Sequence, residues 1–305
     1  MPFSFLTARL VFYPLCVIAV SLLFVGASGA NRQKVWAEFS GEKALAHVQK
    51  LVDFGPHPPA SPASEKCREY IVKELNSCGW QTSEQAFEDN TPRGKIRFVN
   101  VIARFGKTAN PSFLLCSHYD TKTFYSFRFV GANDGGSSTG LLLEMATALA
   151  NSPELAQKIE LVFFDGEEAY EEFSETDGLY GSRYFASQLT KDGSAKKFRG
   201  GILFDMVGDR SLTITLPPDS PPQMARGIFD SAEALKLRNH FTYFSQGVTD
   251  DHTPLNSIGI PSIDIIDFDY PPWHTAEDTM DKLSAESLQT VGSVALYYLS
   301  EIALK

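Results

Sequence analysis

Two histidines and a set of acids occupy comparable places along the chain, each just past a short apolar run. His118 ends Phe113-Leu114-Leu115-Cys116-Ser117 and is followed by Tyr119 and Asp120. Asp134 lies in Gly131-Ala132-Asn133-Asp134-Gly135-Gly136. Glu167 and Glu168 follow Leu161-Val162-Phe163-Phe164-Asp165, Asp205 closes Ile202-Leu203-Phe204, and His274 follows Trp273 in the loop after residues 263–266. Imidazole nitrogens and carboxylate oxygens together make a donor set suited to zinc, with positions left open for a substrate. Each piece alone also has a structural reading. A His or Asp at a strand end is commonly a turn or cap residue. Asp134 would serve as a helix N-cap, and Glu167-Glu168 as an acidic helix start. Recurrence at successive strand ends favours one shared site. The small residues around Asp134 would also let backbone crowd against a metal-bound ligand.

Such a site needs a scaffold that gathers distant segments. Residues 98–105, 112–118, 159–165, 201–205 and 262–266 read as buried strands. Helical spacing runs over 136–150, 179–189, 222–237 and 285–302, and 44–52 and 64–75 predict helices ahead of the first strand. Pro-rich stretches at 56–62 and 217–222 read as loops. Strand–helix alternation predicts a single α/β domain over residues 31–305, with a mixed, mostly parallel central sheet flanked by helices. In such sheets the loops beyond the strands' carboxyl ends converge on one crevice.

Of 305 residues, 43% are hydrophobic, which is enough for a sizeable core and excludes a disordered chain. The net charge of −10 argues against nucleic acid as a partner, since neutralising phosphates needs a basic face. Four cysteines cannot make a disulfide-dense scaffold. Cys116 sits in an apolar run and reads as a buried free thiol. A Cys67–Cys78 bridge is disfavoured by the helix between them. Residues 1–30 carry one charge, Arg9, then an apolar run over 10–26 and the small residues Ser28 and Ala30. This is the pattern of a secretory signal, with an uncleaved anchor as the alternative. Both place the catalytic part outside the cytoplasm, and only the anchor would bring a membrane contact.

At this point the sequence resembles a known family. His118-Tyr119-Asp120, Gly131-Ala132-Asn133-Asp134, Asp165-Gly166-Glu167-Glu168, Asp205 and His274, in that order, are similar to the zinc aminopeptidases of family M28. Leu179-Tyr180-Gly181-Ser182-Arg183, Asp250-Asp251-His252 and Trp273-His274-Thr275 resemble its glutaminyl-peptide cyclotransferase branch. The likeness spans roughly residues 50–285. It implies a mixed sheet of six or more strands, with Asp134, Glu168 and His274 as zinc ligands and Glu167 as general acid/base. In two-metal members, the positions of His118 and Asp205 bind a second zinc. In the cyclotransferases, those of Asp205 and Asp250 share a hydrogen-bond network. Asp120 would orient His118. Phe173, Tyr270 and Trp273 fall at pocket aromatics, and Thr139 stands where the animal cyclotransferases place a disulfide cysteine.

The resemblance implies peptide or protein N-termini as substrates. It leads to cyclisation of N-terminal glutamine to pyroglutamate with loss of ammonia. The alternative is a secreted metallo-aminopeptidase in which Glu167 activates a water. A catalytically silent binding domain is a third reading, disfavoured because Glu167 and every ligand position are kept.

Overall fold

Parallel strands buried on both faces are written as largely apolar runs, and four such runs lie side by side in the sheet. A computed structural model describes residues 1–4, 34–106 and 109–305, so the leader segment lies largely outside the described residues. In chain order the helices are α1 (Val35–Glu38), α2 (Gly41–Asp53), α3 (Pro62–Ser77), α4 (Gly136–Ala150), α5 (Pro153–Ala156), α6 (Tyr180–Lys191), α7 (Pro222–Ala234), α8 (His252–Ser257) and α9 (Ala285–Tyr297). The strands are β1 (Trp80–Thr91), β2 (Gly94–Phe105), β3 (Phe113–His118), β4 (Ile159–Phe164), β5 (Gly201–Asp205), β6 (Ile214–Leu216), β7 (Phe241–Tyr243) and β8 (Ser262–Ile266). Six of them form one sheet in the order β1-β2-β4-β3-β5-β8. β4, β3, β5 and β8 run parallel, while β1–β2 is an antiparallel hairpin joined antiparallel to β4. A short parallel pair, β6–β7, stands apart. The expected mixed, mostly parallel α/β architecture is therefore the observed one. Among the described residues, no helix is long and apolar enough to cross a membrane.

Strand periodicity divides the core into two layers. Phe113, Leu115, Leu161, Phe163, Ile202, Phe204, Ile263 and Ile265 face one cluster, with α2, α4 and α9. Leu114, Cys116, Val162, Phe164 and Leu203 face the other, with Phe185 and Leu189 of α6 and Leu255 of α8. Helix α4 is apolar nearly all round and almost wholly buried, as a helix sandwiched between sheet and helices must be. Its Gly140 lets α2 approach closely, since a Cβ there would lie 2.8 Å from the Ala44 carbonyl oxygen.

Winding reverses at β3: the chain passes from β3 outward to β4, then returns past β3 to β5 and β8. At such a switch point a crevice opens beyond the strand ends. His118 and Asp205 end the two strands that flank it.

Several local expectations need correction. Residues 80–91 form a 12-residue strand that alternation does not reveal. The sequence Trp-Gln-Thr-Ser-Glu-Gln-Ala-Phe-Glu-Asp-Asn-Thr is mostly polar because this edge strand keeps much of its length in solvent. Asp134 does not cap α4; Gly135 occupies that position at φ +78°, where a side chain is strained. Glu167 and Glu168 start no helix and lie buried in a loop. The cysteines, by contrast, are as expected: Cys67, Cys78 and Cys116 are all free thiols.

Candidate metal centre and active site

Each candidate ligand is delivered by the end of a strand or by the loop after it. His118 terminates β3 fully buried, its Nε2 3.3 Å from Asp134 Oδ1 and 3.2 Å from Asp205 Oδ1. Its carbonyl accepts a 2.8 Å hydrogen bond from the Thr139 hydroxyl, which fastens α4 to the end of β3. Gly135 makes the turn between them possible: a Cβ there would meet His118 Cε1 at 2.9 Å. His274 approaches from the loop after β8, with Nε2 3.3 Å from Asp134 Oδ2 and 3.2 Å from Glu168 Oε1. The two oxygens of Asp134 thus face one imidazole each. Two trios result, His118–Asp134–Asp205 and Asp134–Glu168–His274, each with ligand atoms within 4.8 Å of one another.

The supports are as specific as the ligands. Asp278 accepts the backbone N–H of Asn133 at 2.8 Å and of Asp134 at 3.2 Å, and receives the Tyr270 hydroxyl at 2.8 Å. Asp120 accepts the N–H of Glu167 at 3.0 Å and of Glu168 at 3.4 Å. Its Oδ1 also stands 3.6 Å from His118 Nδ1, an ionic approach too long for a hydrogen bond. Lys122 donates to Glu168 Oε2 at 3.3 Å and to the Ala169 carbonyl at 2.7 Å. His274 takes a left-handed φ of +54°, uncommon outside glycine. Its ring stacks on Trp273 at 4.2 Å and meets the edges of Phe124 at 5.6 Å and Phe129 at 6.0 Å.

Electrostatics follow from this crowding. Burial pushes the Asp134 carboxyl up, but the close approach of the His118 and His274 imidazoles outweighs it and holds it below the usual carboxylate range. Burial lowers His274, yet Asp134 and Glu168 raise it to about 10. His118 is raised in the same way, against its burial, by Asp120, Asp134 and Asp205. Glu167 is lifted well above the ordinary range by burial and by the charges of Asp250 and Glu168, although His118 opposes them. Asp250 rises to about 6 through burial and the charge of Asp205.

This donor chemistry fits zinc. All donors are nitrogen or oxygen, and Asp134 Oδ2 is buried without a hydrogen-bond partner, aimed between Glu168 and His274. Above the trios lies a cavity of about 230 Å³ lined by Asp134, Glu167, Glu168, Asp205, Asp250, Phe173, Phe268, Trp273 and His274. Of the aromatics expected there, Phe173 and Trp273 form wall. Tyr270 does not: it is buried beside Met206 and Ile266, with its hydroxyl on Asp278. A tyrosine inside this loop satisfies its hydroxyl on the nearest buried acid. Asp278, Lys122, Phe124 and Phe129 escape sequence reasoning, because an acid, a lysine or a phenylalanine in a loop carries no periodic signal.

With the geometry in place, the chain can be set beside known proteins. Residues 100–299 match peptidase family M28. A glutaminyl-peptide cyclotransferase from Dictyostelium discoideum is 28% identical over 89% of this chain and 86% of its own length. The crystal structure of a glutaminyl cyclase from an Acidobacteriales bacterium superposes with a TM-score of 0.79 at 34% identity, covering 86% of this chain and 94% of that one. A Zn-dependent exopeptidase from Parabacteroides distasonis superposes with a TM-score of 0.78 at 27% identity, covering 87% and 99%. This chain belongs to peptidase family M28, in its glutaminyl cyclase branch.

Proposed function

We propose that this protein is a zinc-dependent glutaminyl-peptide cyclotransferase acting on peptide and protein N-termini. The observation that carries the reading is the small cavity over the shared carboxylate. It has a volume of about 230 Å³, walls of Phe173 and Trp273, and a buried spare acid, Glu167. That shape suits one flat side chain folded back on its own amino group. The similarity to proteins named glutaminyl-peptide cyclotransferase over most of the chain supports it.

Asp134, Glu168 and His274 would hold one catalytic zinc, and His118 with Asp205 would complete a second position. A bound ion supplies Lewis-acid polarisation of the substrate carbonyl. The chain's own residues do the rest. Phe173 and Trp273 hold the glutamine side chain so that its α-amine lies against its γ-carboxamide carbon, which converts the reaction into a well-oriented ring closure. As the new C–N bond forms, Glu167 takes a proton from the amine. It returns that proton to the departing nitrogen, which leaves as ammonia as the old C–N bond breaks. Burial and neighbouring acids raise the Glu167 carboxyl, which favours its role in handing the proton on to the leaving nitrogen. Asp250 and Asp205 line the same cavity, and the charge of Asp250 adds to burial in raising the Glu167 carboxyl. Asp120 fixes the Glu167 and Glu168 amides, and through them the direction of both side chains.

The signal-like residues 1–30 support work in an extracytoplasmic compartment, as one catalytic domain over residues 31–305. A second reading, a metallo-aminopeptidase, is favoured by the completeness of both trios around Asp134. Incubating the zinc-loaded protein with a Gln-initiated and a Leu-initiated peptide, followed by mass spectrometry, separates the two. Loss of ammonia from the first with the second intact is expected. Release of leucine would overturn the cyclase reading.

A further inference from the structure

One face of β2 has a polar residue in its apolar row. Along a strand, residues 98, 100 and 102 share a face. Phe98 stacks on Tyr180 of α6 at 4.7 Å, and Ile102 belongs to the layer that holds Phe185 and Leu189 of the same helix. Between them stands Asn100, fully buried. A buried amide is costly unless its hydrogen bonds are made, and three are. Its Oδ1 accepts the Asp165 N–H at 3.0 Å, while its Nδ2 donates to the Gly181 carbonyl oxygen and to Gln85 Oε1, each at 2.9 Å. These bonds begin where the backbone ladder stops. β2 and β4 pair from Arg104 with Glu160 as far as Val101 with Phe163. Beyond that pair side chains take over in both directions: Asn100 receives the Asp165 N–H, and Asp165 Oδ2 accepts the Val99 N–H at 2.8 Å. The chain can therefore leave the sheet at Asp165 without orphaning these buried amides.

We infer that Asn100 is a positioning residue for the reaction: one amide ties the loop bearing Glu167 and Glu168 to β2 and to the start of α6. The inference rests on the cyclase reading, in which Glu167 moves the proton. The loop's other side rests on α6, where the Tyr180 N–H donates to the Gly166 carbonyl and the Leu179 N–H to the Glu167 carbonyl, both at 2.8 Å. Gly181 permits that approach, since a Cβ there would lie 2.5 Å from Asn100 Oδ1 and 2.6 Å from the Asp165 carbonyl oxygen. Glu167 belongs to neither trio of donors, so its carboxyl takes its place from its own backbone. Asp134 and His274 come from the loops after β3 and β8 and do not depend on Asn100. Disturbing Asn100 therefore reaches proton transfer before it reaches the metal. The amide suits the place because it accepts on one side and donates on the other. A carboxylate would keep the acceptor for Asp165 but turn an oxygen on the Gly181 carbonyl and Gln85 Oε1. A leucine fills a similar volume and offers neither.

The test uses the full chain loaded with zinc and a Gln-initiated peptide, in the parent, Asn100→Asp and Asn100→Leu. Rates are referred to the folded, zinc-bound fraction, obtained from urea unfolding and elemental analysis. A catalytic group misplaced by about 1 Å costs about 100-fold in rate. Asn100→Leu should therefore lose about 100-fold in kcat with KM within about threefold of the parent, and Asn100→Asp about tenfold. Both should keep the parent's zinc content. If Asn100→Leu does not fold, Asn100→Asp decides. A kcat per folded molecule equal to the parent's, an effect confined to KM, loss of zinc in step with turnover, or failure of both variants to fold would overturn the inference while leaving the cyclase reading intact. Absence of cyclisation by the parent would overturn the cyclase reading, and this inference with it.

Discussion

Asp134 divides its two oxygens between two imidazoles, and Asp278 holds the backbone amide of Asp134 in place for this. Asp278 spends both carboxylate oxygens on the amides of Asn133 and Asp134. Asp278→Asn offers only one acceptor oxygen, and its amide hydrogens would confront an N–H donor. The variant should bind zinc about 10–100-fold more weakly, measured by competition with a chromophoric chelator. Glu167 is the opposite case, since its side chain belongs to neither trio. Glu167→Gln should keep its zinc, by elemental analysis, yet lose about 10²–10⁴-fold in kcat. Retained turnover would take Glu167 out of the proton-transfer role. These two residues differ in how far they can be read from sequence. Glu167 stands out beside Glu168 at a strand end. Asp278 contacts Asn133 across 145 residues, and no local pattern reports that.

Helix α4 joins the catalytic loops to the core, and its packing leaves no slack. A methyl group at Gly140 would come within 2.6 Å of Val48 Cγ2 and 2.8 Å of the Ala44 carbonyl oxygen, so α2 would have to move. Gly140→Ala should cost about 1–3 kcal/mol, read as a lower urea midpoint with an unchanged m-value. The same helix buries Glu144, whose carboxyl burial raises to about 7, with Lys43 opposing. The folded state therefore holds this proton more tightly than the unfolded chain does. Stability should fall as pH rises from about 4.5 to about 7 and be level above that. Glu144→Gln should match the parent near pH 4 and exceed it near pH 8 by about 1–2 kcal/mol, measured by urea unfolding at both pH values. The 136–150 helix is legible from its helical spacing, with Leu141, Leu142, Met145, Ala146 and Leu149 recurring as one apolar stripe. Its buried glutamate and its contact with α2 are not, since both depend on what packs against it.

Across the whole molecule, two trios of donors sit where four parallel strands end, and without an ion they leave several buried acids mutually repelling. The same carboxylates hold the imidazoles of His118 and His274 well above their ordinary range, against burial. Zinc must displace the imidazole protons, so its affinity should weaken as pH falls. Chelation should abolish turnover and lower the melting temperature by several degrees, and both should return on adding zinc. Unchanged turnover after exhaustive chelation would remove the metal from the proposed chemistry.

The sequence by itself determined the donor types, their order and their attachment to strand ends. Buried parallel strands are continuous apolar runs, so the polar residue that terminates each one is conspicuous. It also determined the α/β class, through the change of period between strands and helices. Only the tertiary structure decided which imidazole faces which oxygen of Asp134, because that depends on strand order and on the left-handed turn at His274. Only it placed Tyr270 beneath the cavity rather than in its wall, and only it revealed β1, whose exposed edge carries no apolar alternation. Local pattern reports how each segment meets water. Convergence is set by contacts between segments far apart in the chain, and it leaves no periodic trace.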